Sequence, residues 1–134
     1  MTPSQAKAIL ETAFKTGWGS TTPIAWGNTT PPMPDTHWVR FTIIHAESRL
    51  RSWSGTTGNY DRRGIVFVQI FVPLGSGTRA ASDLSLMVMD ILEGKTFGTL
   101  ETGAASMLEV GQGDDAKDQT QVRISFSYDE QKAL

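Results

Sequence analysis

The sequence predicts an α+β fold, a mainly antiparallel four-stranded sheet with two helices packed on one face and a long hairpin loop projecting from it. Three observations lead there. Ala6, Ile9, Leu10, Ala13 and Phe14 recur at helical spacing near the start. The run "GIVFVQIFV" (64–72) is apolar on both faces of a strand, Val66, Val68, Ile70 and Val72 on one and Ile65, Phe67 and Phe71 on the other. Near the end, Val122, Ile124, Phe126 and Tyr128 alternate with Gln121, Arg123, Ser125 and Ser127, the mark of a strand with one wet face.

The elements follow in order. Thr2 is placed to cap the first helix, Pro3 suits its first turn, and Gly17 is the expected C-cap. From Trp18 to Asp35 prolines, glycines, Thr and Ser allow only an extended crossing segment, which Trp18 and Trp26 pin to the body. Residues 38–48 alternate Val39, Phe41 and Ile43 against Trp38, Arg40, Thr42 and Ile44, as a strand does. A wide polar loop, Ser52 to Gly64, then returns the chain, flanked by Arg49, Arg51, Arg62 and Arg63. After the doubly apolar strand, a helix is predicted from about Arg79 to Glu93, with Leu84, Met87, Val88, Ile91 and Leu92 on one side. A loop after Gly94 leads through "SMLEVGQG" to the last strand, Gln119 to Asp129. Two helices cover one sheet face, so the crossing segment, the hairpin loop or another subunit must cover the other.

Composition narrows the function classes. The 134 residues form a single domain, 39% hydrophobic and 19% charged, which is the balance of a folded globular chain. There is no cysteine, hence no disulfide framework and no thiolate metal site, which fits intracellular assembly. No stretch has membrane-spanning length, and a net charge of −2 gives no field for nucleic acid.

Gly75, Gly77 and Ala80 match G-x-G-x-x-A after a strand and before a helix, the pattern of a dinucleotide loop, with Glu93 or Glu101 further on for a ribose. That loop works inside a parallel βαβ unit, whereas here the strand is one arm of a hairpin, ends at Pro73 and is followed by Leu74. A strand-to-helix turn is the expected reading. His45 and Glu47 share a strand face but lack a third metal ligand, and His37 beside Asp35 offers no better site. Asp114, Asp115 and Asp118 lack the spacing and terminal Glu of a calcium loop. With two histidines and no nucleophile motif, no catalytic constellation is expected, and neither cofactor nor metal.

The succession "PIAWGN" (23–28), "WVRFTII" (38–44), an arginine- and glycine-rich loop, "GIVFVQIFVPLGSG" (64–77) and an amphipathic helix resembles the tail-terminator-like family of long-tailed bacteriophages and prophages. The likeness is one of order along nearly the whole chain. It implies a non-enzymatic protein forming a six-fold ring on the head-proximal end of the tail tube, whose partners are its own copies, the tail tube protein and the head-tail connector protein. It also implies a place in the virion tail or neck, with host cytoplasm as the site of assembly. Arginine and aromatic residues are enriched at interface cores, which makes Arg49, Arg51, Trp53, Tyr60, Arg62 and Arg63 the candidate contact residues. Two alternatives stand beside this reading: another neck protein such as a head-closure or tail-completion factor, and a small nucleotide- or ligand-binding protein using Gly75 to Ala80.

Overall fold

The computed structural model describes residues 1–27, 36–75, 78–112 and 117–133. Helix α1 (Pro3–Trp18) opens with a full capping box, in which the Thr2 side chain accepts from the Gln5 amide and the Gln5 side chain accepts from the Thr2 amide. It runs past Gly17. The cap is Gly19, whose φ of 60° suits a glycine. Gly17 lies inside the helix because a Cβ there would stand 2.8 Å from Ile91 of α2 (Thr78–Leu92), so the missing side chain lets the two helices approach.

The sheet corrects the expected four-stranded antiparallel arrangement. It is one six-stranded, mixed, curled sheet, a half-barrel ordered β1-β2-β3-β6-β5-β4. The crossing segment contributes β1 (Ile24–Trp26), which pairs parallel to β2 (Trp38–Ser54). Strand β3 (Thr57–Pro73) is antiparallel to both β2 and β6 (Lys117–Ala133). The chain after Gly94 forms β4 (Thr96–Phe97) and β5 (Leu100–Gln112), the second of which pairs with β6. Two strands were missed because a three-residue and a two-residue strand are too short to show any periodicity.

The wide hairpin loop is also corrected. Strands β2 and β3 stay paired out to Ser54 and Thr57 and turn over two residues, Gly55 and Thr56, with Gly55 at φ 59°. The other polar residues from 52 to 64 are therefore strand. What projects is a three-stranded arm of β2, β3 and β6.

Both helices pack on one face of the sheet, as predicted. Val66, Val68, Ile70 and Val72 are buried there beside Val39, Phe41, Val122, Ile124, Phe126 and Tyr128, and they meet Leu10, Phe14, Val88 and Leu92 from the helices. Phe14 stacks on Phe41 at 4.9 Å and on Trp18 at 5.2 Å, while Trp26 meets Phe41 edge-on at 5.4 Å. This cluster ties the crossing segment to α1 and β2. Helix α2 ends on Thr102 of β5, whose hydroxyl donates to the Leu92 carbonyl and accepts from the Lys95 amide. On the other face Ile65, Phe67 and Phe71 stay half-buried.

A charge on each face of β3 separates the two environments. Val68→Asp puts an unpaired carboxylate into the helix-covered core, at a cost of several kcal/mol against a total stability of about 5–15 kcal/mol. A thermal melt followed by circular dichroism should show no cooperative transition for Val68→Asp, while Phe67→Asp melts cooperatively within a few degrees of the parent.

Candidate functional site

The candidate contact residues all fall on the three-stranded arm, and strand alternation sorts them by face. Residues with the parity of Val66 continue the helix-covered face outward, and those with the parity of Ile65 continue the helix-free face. Arg49, Asp61 and Asp129 stand in one cross-strand row on the helix-free face, with Arg63 and Ser127 in the next. Together with Arg51 and Glu101 they line a shallow basin of about 660 Å³. Arg51 bridges to Asp129 at 2.9 Å and Arg63 to Asp61 at 3.2 Å. Arg49 and Glu101 line the basin outside these pairs.

Arg62 faces the other way. Its guanidinium meets Glu130 at 2.8 Å, with the two side chains only 18% and 11% exposed, and it lies 4.7 Å over the ring of Tyr60. The sequence reading put it on the flank of a polar loop, but here it sits inside a sheet and holds β3 to β6. Trp53, near the tip, is 67% exposed. The six candidates therefore do not make one patch: Arg49, Arg51 and Arg63 share the basin, Tyr60 and Arg62 form a half-buried strut behind it, and Trp53 marks the end of the arm.

Where the arm leaves the core, His45 and Tyr128 form a pair that the sequence did not suggest. His45 Nε2 lies 2.8 Å from the Tyr128 hydroxyl, and the imidazole stands edge-on to Phe126 and to Tyr128. Burial lowers the His45 pKa below its usual value, helped by Lys7 of α1 and by Arg62. Burial raises that of Tyr128, with Glu130 adding to the shift and Arg62 opposing it. Both side chains therefore stay neutral near pH 7, and the exposed His45 is hydrogen-bonded to the buried Tyr128 at the edge of the core rather than being half of a ligand pair with Glu47. A β-bulge separates His45 from Glu47 and breaks the shared face the sequence implied.

Among the described residues no three His, Asp or Glu side chains gather as metal ligands, and no helix is long and apolar enough to cross a membrane. Gly75 follows a strand antiparallel to both neighbours, so it does not belong to the parallel unit a dinucleotide loop requires. Ser76 and Gly77 of that motif, Asp114 and Asp115 of the acidic run, and Asp35 beside His37 lie outside the described residues.

The geometry defines a protein that offers worked surfaces of sheet, charged on the arm and apolar over the core. A family model of phage tail terminator proteins matches residues 5–128, and the chain belongs to that family, whose members are structural proteins of the phage tail. One solved protein chain is similar at a TM-score of 0.64 and 20% identity, covering 91% of this chain and 94% of that one. At this identity the likeness concerns the fold. No curated protein matches the chain.

The two faces of the arm should respond differently to truncation. Arg62→Ala strands a largely buried Glu130 carboxylate and is expected to cost about 2–3 kcal/mol of stability, whereas Arg63 is itself 62% exposed and its truncation, Arg63→Ala, costs about 1 kcal/mol or less. Urea unfolding curves of the two variants measure the difference.

Proposed function

We propose that this chain caps the head-proximal end of the phage tail tube as a ring, six-fold like the rings of its family, stopping tube growth and presenting a surface to the head connector. The observation that carries the reading is the three-stranded arm: the outer ends of the long strands carry arginines, carboxylates and an exposed tryptophan. Such surface has no use in the monomer's own core. Arginine and aromatic side chains of this kind supply interface energy once water is excluded around them. No reaction is assigned to the chain. Its partners in this reading are its own copies, the tail tube protein and the connector protein, met in the host cytoplasm and retained in the tail and neck of the virion.

The basin arginines are the contact residues in this proposal, with Trp53 at the end of the arm, while Arg62 and Tyr60 hold the arm in shape. Arg49→Glu combined with Arg63→Glu changes exposed positions and should leave the melting temperature within a few degrees of the parent. In a complementation assay scored by electron microscopy, that variant is expected to give tails of uncontrolled length or tails unjoined to heads. Normal tails from the variant would remove the basin from the contact. Normal tails from a complete deletion of the chain would remove the capping role.

A further inference from the structure

The helix-free sheet face over the core carries a charge pattern of its own. Arg40 on β2 and Arg123 on β6 flank Phe67 and Gln69 of β3, and Arg123 lies 5.6 Å over the Phe67 ring. Among the described residues this half of the face, from Trp38 to Ile44 and across to Ser125, holds no carboxylate. Ile44 is 49% exposed at one end and Leu108 47% at the other. The buried Arg40 Nε–H and Trp38 Nε1–H find no acceptor among the described residues. This face is cationic and apolar.

The complement stands on the outside of α2. Asp83, Leu86 and Asp90 occupy positions i, i+3 and i+7 and are all exposed, Leu86 at 58%. Arg79 heads the same stripe, 3.9 Å from Asp83, and leaves it net acidic. Seven residues of helix separate the two carboxylates by about 10 Å along the axis. Two strand spacings and two residues of register separate Arg40 from Arg123 by about 12 Å. The two charge pairs match in spacing, with Leu86 opposite the Phe67 ring between them.

We propose that α2 of one copy docks across the helix-free sheet face of the next, Asp83 and Asp90 against Arg40 and Arg123, in a head-to-tail contact. Because the two surfaces differ and lie on opposite sides of the sheet, each copy offers one and uses the other, as a closed ring demands. The inference rests on the ring proposed above and names the faces that build it.

The absence of cysteine makes a clean test. A chain carrying Leu86→Cys and Thr42→Cys, oxidised on tail tubes, should give a non-reducing ladder from dimer up to the full ring, and each single variant should stay monomeric, without even a disulfide-linked dimer. Adding Arg123→Glu, at an exposed position, should cut the ladder at least tenfold without moving the melting temperature. A disulfide-linked dimer from Leu86→Cys alone would show helix meeting helix, and one from Thr42→Cys alone would show sheet meeting sheet; either overturns the contact. Capped tails with no ladder overturn it while leaving the capping role intact. Uncapped tails from the cysteine-free parent would end both readings together.

Discussion

Strands and helices of similar residue count differ more than twofold in length, and the architecture follows from that mismatch. Strands β2, β3 and β6 are each 17 residues long, which is about 55 Å of extended chain. Helices α1 and α2 have 16 and 15 residues, which is about 24 Å of helix. Two helices laid on such a sheet cover one face of one half. The rest must be polar, or be covered by something that is not this chain.

The side chains change character where cover ends. Up to Gly64, one face of β3 is Val and Ile; beyond it the same face holds Arg62 and Tyr60. Gly64 marks the boundary for a steric reason: a Cβ there would stand 2.4 Å from the Ile44 carbonyl oxygen and 2.5 Å from the Phe126 ring. The close approach lets Phe126 and the His45–Tyr128 pair close the end of the core. The Arg62–Glu130 strut then keeps the bare arm in register, since ionic and cation–π contacts do there what apolar burial does over the core.

The core was legible in the sequence because periodicity is a property of burial. Both faces of β3, the α1 stripe and the alternation of β6 read directly. The arm did not. Gly, Ser, Thr and Asn between 52 and 64 carry turn propensity, and only pairing on both sides of β3 turns them into strand, an outcome no local pattern encodes. The candidate arginines were found by residue type, but their division between two faces depended on the register at two bulges in β2, after His45 and after Leu50. The order of segments carried the family resemblance, and the family match over residues 5–128 agrees with it.

The central claim is that the arm is already folded in the lone chain and is there to be covered in assembly. Hydrogen–deuterium exchange read by mass spectrometry tests it directly. In the free protein, amides of residues 57–63, paired on both sides, should be protected well beyond those of residues 47–54 on the open edge; with tail tubes added, protection of the arm should rise further. An arm that exchanges like unfolded chain in the free protein, or that gains no protection on capped tubes, would contradict the account.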